Sequence, residues 1–297
     1  MKGVSPELYP FASHFETIGG HKYHYVEEGK GEPVVMLHGN PTWSFYYREL
    51  IRKLSPHFHC IAPDHIGCGY SDKPDDREYN YTLEQRVNDL EEFLEKKGIT
   101  QNIHLIVHDW GGIIGMAYAH RHPDSIKKIV LMNTAAFHLP ATKSFPIALW
   151  LARTWAGAFA VRAFNAFSGI ATIEGTKRIR LSKDIRKGLT APYNSWKNRI
   201  ATLRFVQDVP LKPDDKGYAI VTEMQEHLVQ FRNTPTLIAW GMKDFVFDRH
   251  LLDTWIHYLP DAEVHRFEDS GHYILEDQQE AIGKLVLNFF GVAHEIL

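Results

Sequence analysis

Only two cysteines, Cys60 and Cys68, occur in the 297 residues. They are too few for a disulfide framework and lack metal-ligand spacing, so a reducing compartment is expected. Neither sign of charge dominates. The net charge of −3 leaves no whole-chain reason to expect nucleic-acid binding. No internal repeat or low-complexity tract is present, which excludes solenoid and array architectures. The opening stretch MKGVSPELYPFASHF holds no apolar core of signal-peptide length, and a cytoplasmic enzyme is expected. What remains is ordinary globular composition, 44% hydrophobic and 23% charged, at a length that suits one large domain or two small ones.

The chain is organised around Ile103 to Gly115, IHLIVHDWGGIIG. A short apolar run of strand type breaks at Asp109-Trp110-Gly111-Gly112 and resumes with helical composition. This strand, turn and helix resembles the nucleophile elbow of α/β-hydrolases, with Asp109 at the tip where that motif usually has Ser. Two residues before the tip the chain has Val107, where the motif prefers Gly. A carboxylate needs no general base to act as a nucleophile near neutral pH and can attack carbon directly. Asp before Gly is also common in ordinary turns, so the partners decide.

Around the elbow, strands are predicted at Phe15 to Gly19, Tyr23 to Glu28, Pro33 to Leu37, Phe58 to Pro63 and Lys128 to Met132. Trp43 to Leu54 and Thr82 to Lys97 have helical periodicity, with Thr82 as the N-cap of the second. Strand signals then stop until Thr236 to Trp240 and Glu263 to Phe267, followed by a closing helix over Glu276 to Phe290. The pattern predicts an α/β fold with a mostly parallel sheet of about eight strands and an inserted helical cap. The expected division is core over residues 1–137, cap over 138–213 and core again over 214–297.

In open α/β sheets ligands sit at the carboxyl ends of strands. After the penultimate strand comes Asp244, which can orient an imidazole, and after the last comes His272. Nucleophile, acid, histidine is the chain order of the α/β-hydrolase triad. Backbone N–H groups at Asn40 and Trp110 would form the oxyanion hole, and their side chains are neutral donors suited to a small leaving anion. Core packing is the alternative role for Trp110, and a plain loop role for Asn40.

With these residues in hand, the sequence resembles the haloalkane dehalogenase family of α/β-hydrolases over nearly its whole length. The motifs are HGNPTWSF (His38 to Phe45), HDWGG (His108 to Gly112), GMKD (Gly241 to Asp244) and SGH (Ser270 to His272). The resemblance implies Asp109 as nucleophile, His272 as base and Asn40 with Trp110 as the halide-stabilising pair. Some members carry the triad acid where this chain has Asn133, which favours Asp244 here. Asp109 would displace halide to form an alkyl ester, and water activated by His272 would release alcohol, with no cofactor or metal. HGNPTWSFYYR (His38 to Arg48) and PDHIGCGYSDKP (Pro63 to Pro74) also resemble the related β-lactone decarboxylases of olefin synthesis. There Asp109 would engage a strained lactone and yield an alkene and carbon dioxide. Dehalogenation is the leading expectation and decarboxylation the close rival. Epoxide hydrolases activate their substrate with cap tyrosines, and Tyr193 is the sole tyrosine of this cap. A binding protein without catalysis predicts decay of a triad member, and none is missing.

The cap is rich in rings. Phe145, Trp150, Phe159 and Phe164 are candidate pocket residues, and Trp155 and Phe167 accompany them, although each ring could equally be cap core. Together they predict an apolar pocket and an uncharged, hydrophobic small-molecule substrate. Arg153 and Arg162 argue against a membrane-spanning helix. Between His138 and Phe205, twelve Lys and Arg face only Glu174 and Asp184, a net +10 that leaves −13 for the rest. Such a face is either simply solvated or docks on an acidic protein or anionic membrane surface.

Overall fold

A computed structural model of the chain describes residues 3–292. Eight strands form one sheet: β1 (His14–Ile18), β2 (His21–Glu28), β3 (Pro33–Leu37), β4 (His59–Pro63), β5 (Ile103–Asp109), β6 (Ile126–Thr134), β7 (Thr236–Gly241) and β8 (Glu263–Phe267). Their order is β1-β2-β4-β3-β5-β6-β7-β8, antiparallel at β1-β2 and β2-β4 and parallel from β4 onward. This is the predicted α/β-hydrolase sheet.

The central strands are apolar on both sides because helices cover both faces. Val35, Leu37, Leu105, Val107, Leu131 and Ile238 point to one layer. That layer holds the helices α2 (Leu83–Lys96), α3 (Trp110–Arg121), α9 (Tyr218–His227) and α10 (Arg249–Tyr258). Val34, Met36, Ile106, Val130, Leu237 and Ala239 point to the other, packed by α1 (Arg48–Leu54), α11 (Ile274–Asp277) and α12 (Gln279–Phe290). Thr82 caps α2 as predicted, its side chain accepting from the Gln85 N–H at 3.3 Å.

Two predicted helices differ in detail. The one from Trp43 opens as a 3₁₀ turn over Ser44–Tyr47 before α1. The closing helix is broken at Gln278, where ψ is 35°. Just before this break, the Asp277 carboxylate accepts from the backbone N–H groups of Gly271, Lys177, Arg178 and Ile179. A side chain committed to that loop junction ties α11 to the cap.

Between β6 and β7 the chain leaves the sheet for α4 (Ile147–Arg153), α5 (Trp155–Phe164), α6 (Ala166–Glu174), α7 (Lys183–Thr190) and α8 (Ile200–Gln207), which form the cap. Its own core is small, built on Ala152, Val161, Leu203 and Val206. Among the described residues no single helix is long and apolar enough to cross a membrane. The α5–α6 pair has the combined length and composition, but it is bent by 79°.

Candidate active site

The turn at the end of β5 holds Asp109 at φ 53° and ψ −126°, a conformation that costs a side-chain residue energy and raises its carboxylate above the sheet. Small neighbours make the turn possible. A Cβ on Gly39 would strike the Asp109 carboxylate, and one on Gly112 would strike the Thr134 hydroxyl. Thr134 in turn donates to the Asp109 carbonyl at 2.5 Å. The β5-β6 register slips by one residue here, pairing Asp109 with Thr134 and leaving Asn133 as the bulged residue at φ 34°.

The two oxygens of Asp109 have different surroundings. Oδ1 accepts from the Asn40 backbone N–H at 2.5 Å, and the Trp110 N–H also reaches the carboxylate. Oδ2 lies 3.7 Å from His272 Nε2. One oxygen is therefore held where an oxyanion would form, and the other faces the imidazole. Burial pushes the Asp109 carboxyl up to about 6, against the opposing pull of His272 and the two N–H groups.

His272 is oriented from its far side, with Nδ1 2.7 Å from Asp244 Oδ2. Its ring stacks on Phe247 at 5.7 Å and 11°. Burial disfavours charge on His272, but Asp244 and Asp109 outweigh it and raise the imidazole above its ordinary value. Asp244 also accepts from the Val246 and Phe247 N–H groups at 2.8 and 3.1 Å, which fixes the carboxylate plane.

Asn133 takes part in a way its sequence does not reveal. Its amide donates to Asp244 Oδ2 at 3.1 Å and to the Gly241 carbonyl at 3.0 Å, and accepts from the Gly241 N–H at 2.8 Å. The residue at the end of β6 thus supports Asp244, just beyond the end of β7. His108 was equally unforeseen: its Nε2 lies 2.8 Å from the His272 carbonyl. The one signal for either residue is adjacency to the ends of β5 and β6.

The side chains of Asn40 and Trp110 lie beside Asp109, as the motifs suggested. One Asn40 amide hydrogen is used on the Thr202 carbonyl at 3.0 Å, linking this loop to α8. Trp110 packs against Phe205 of α8 at 5.1 Å, and the Arg86 guanidinium lies 3.9 Å over the Phe205 ring. Asn40, Asp109, Trp110 and His272 line a cavity of about 360 Å³ between cap and core.

Of the four cap rings expected in the pocket, Phe145 lines this cavity, joined by Phe167. Trp150, Phe159 and Phe164 do not: they point outward and are 58%, 51% and 75% exposed. The reason is helix spacing. On α5, Gly157, Ala160 and Val161 face the cavity, so Trp155 and Phe159 fall on the opposite side, whereas Phe164 ends the helix at the left-handed Asn165, where α6 bends away by 79°. Tyr193 is fully buried away from the cavity, donating to the Thr42 carbonyl at 3.1 Å. That placement offers no cap phenol to an epoxide. Among the described residues no three His, Cys, Asp or Glu side chains are grouped to hold a metal.

Comparison with known proteins extends this geometry. Residues 32–279 match the family described as the alpha/beta hydrolase fold. A cis-3-alkyl-4-alkyloxetan-2-one decarboxylase of Shewanella oneidensis is 56% identical over 276 residues, covering 93% of this chain and 87% of that protein. Haloalkane dehalogenase 2 of Mycobacterium tuberculosis is 30% identical over 289 residues, covering 96% and 97%. The solved haloalkane dehalogenase of Agrobacterium tumefaciens C58 superposes with a TM-score of 0.85 over 95% of this chain and 97% of that one, at 23% identity. With an eight-stranded sheet, an inserted cap and relatives of both kinds over 93% and 96% of its length, the chain belongs to the alpha/beta hydrolase fold family, in the branch shared by haloalkane dehalogenases and cis-3-alkyl-4-alkyloxetan-2-one decarboxylases.

Proposed function

We propose that this protein decarboxylates cis-3,4-dialkyl-oxetan-2-ones, four-membered β-lactones, to alkenes. The observation that carries the reading is 56% identity to a protein of that name, against 30% to a haloalkane dehalogenase. The order of the two expectations from sequence is therefore reversed. An apolar cavity over a single buried carboxylate suits a lactone with two alkyl arms.

In the proposed mechanism, Asp109 Oδ2 attacks ring carbon C4 in line. The C4–O bond breaks, and its electron pair goes to the departing ring carboxylate, which the Asn40 and Trp110 side-chain donors receive. The alkyl ester then collapses. Electrons of the C3–carboxylate bond form the double bond, carbon dioxide leaves, and the C4–O bond to Asp109 breaks to restore its carboxylate. No water, cofactor or net proton is consumed. Inversion at C4 followed by anti departure makes a cis alkene from a cis lactone.

The first experiment incubates purified protein side by side with a long-chain cis-β-lactone and a short bromoalkane, following alkene and bromide. Alkene with only trace bromide is expected, and Asp109→Ala should abolish it. Bromide release with an inert lactone would instead make the protein a dehalogenase. That second reading keeps one support, since Asn40 and Trp110 form a donor pair suited to halide. In that case His272→Ala should accumulate an alkyl-enzyme ester visible by intact mass, because only ester hydrolysis needs the base.

A further inference from the structure

The cap presents apolar side chains in two opposite directions. Inward, Ala148, Ala152, Gly157, Ala160 and Val161 line the cavity. Outward, the same helices expose Ile147, Trp155 and Phe164 at 76%, 84% and 75%, together with Trp150, Phe159 and Ile173. Scattered exposed apolar residues need no explanation, but a concentration of tryptophan, phenylalanine and isoleucine on three successive helices does.

Two further observations point to what covers this face. The cavity opens within it: Leu151, Ile170, Leu211 and Phe245 line the cavity and are also exposed, so they form its rim. Cations border it as well. Phe164 shares a surface cleft with Lys183, Arg186 and Lys187, and the Arg162 guanidinium lies 4.7 Å over the exposed Trp196 ring. Rings on one side and Lys and Arg beside them are the pattern of helices that lie in a lipid interface. The 79° bend between α5 and α6 suits lying on a surface, not crossing it.

We propose that the outer face of the cap docks on an anionic lipid surface. The exposed side chains of α4 to α6 enter the acyl boundary, Lys183, Arg186 and Lys187 meet headgroup phosphates, and the rim opens toward the hydrocarbon. Apolar substrate then enters, and apolar product leaves, without crossing water. A second copy on this face would set one +10 cap against another. A protein partner there would stopper the cavity mouth, whereas lipid leaves it open. This inference rests on the cap and the cavity wall alone and holds for either substrate.

The test is co-sedimentation of the purified full chain with vesicles of phosphatidylcholine alone or of equal parts phosphatidylcholine and phosphatidylglycerol. Binding to the mixed vesicles is expected at low salt, weakening as salt rises. Lys183→Glu with Lys187→Glu should weaken it by at least about tenfold, by loss of attraction to anionic headgroups. Trp155→Ser with Ile147→Ser should do the same by loss of apolar insertion. Thermal unfolding of all variants should match the parent, since these side chains are exposed. The proposal is overturned if neither vesicle retains the chain, or if retention is unmoved by both pairs of substitutions. It is equally overturned if the parent ignores vesicles but forms a dimer that Trp155→Ser with Ile147→Ser disperses, or binds an acidic protein in their place.

Discussion

Asp109, the nucleophile of the proposed mechanism, sits on a strained backbone. Its backbone sits at a φ of 53°, and the turn closes only because Gly39 and Gly112 lack side chains. Gly39→Ala should therefore displace the carboxylate and abolish turnover while leaving the sheet folded, as circular dichroism would show. Because burial pushes its carboxyl up to about 6, Asp109 is ionised above that pH, and the nucleophile of the proposed mechanism is lost as pH falls through it. The profile of kcat/KM should accordingly fall about tenfold per unit below about pH 6; a profile flat down to pH 4 would contradict this assignment. Asn133 is the residue that motif reading placed as a vacancy and the fold turned into a support. Removing its donor to Asp244 with Asn133→Ala should cost about 1.5–3 kcal/mol of stability, the usual worth of a hydrogen bond to a charged group. Denaturant unfolding would reveal it.

At the scale of elements, polar groups at the loop ends decide how helices meet the sheet. Arg48 of α1 makes a bidentate pair with Glu276 of α11, at 2.6 and 2.8 Å, in a nearly dry setting. Glu276→Ala would strand a buried guanidinium and should cost about 3–5 kcal/mol in denaturant unfolding. Asp64, just after β4, accepts from His24, from the Ser44 N–H and from the Tyr70 N–H at 2.7, 2.7 and 2.9 Å. Burial alone would raise this carboxyl, but His24, His38 and the Ser44 N–H outweigh it and hold it well below the ordinary range. A depressed carboxyl stabilises the fold above its unfolded value of about 4 and loses that contribution as pH falls further. The melting temperature should therefore drop steeply below about pH 4, and less steeply in Asp64→Asn. Helix α2 was legible because its apolar stripe and Thr82 cap are local. The break between α11 and α12 was not, since it coincides with Asp277 binding a loop from a hundred residues earlier.

For the molecule as a whole, the cavity belongs to neither cap nor core alone. Core residues Asp109 and His272 form its floor, and the small residues of α4 and α5 form its roof. Ala148→Phe or Ala160→Phe should shorten the preferred alkyl arm. Each methylene excluded forfeits about 0.8 kcal/mol, about fourfold in kcat/KM, measurable with a series of lactones of rising chain length. The charge of the chain is likewise meaningful only in three dimensions. Part of the cap's excess is spent on ion pairs, such as Lys143 with Asp248 and Arg204 with Asp76. Lys183 and Lys187 remain exposed at the edge of the apolar face.

What the sequence by itself determined is local or ordered along the chain. Strand periodicity defined the sheet, the Asp109 turn the elbow, and positions after strands the meeting of Asp109, Asp244 and His272, because each depends on neighbours or on place along the chain. What the tertiary structure alone decided depends on direction. It directed Phe145 into the cavity while Trp150, Phe159 and Phe164 face outward, and it gave Asn133 to Asp244. A ring on a helix that is apolar all round has no sequence mark for inside or outside. Only the packing of small residues against the core chooses the side.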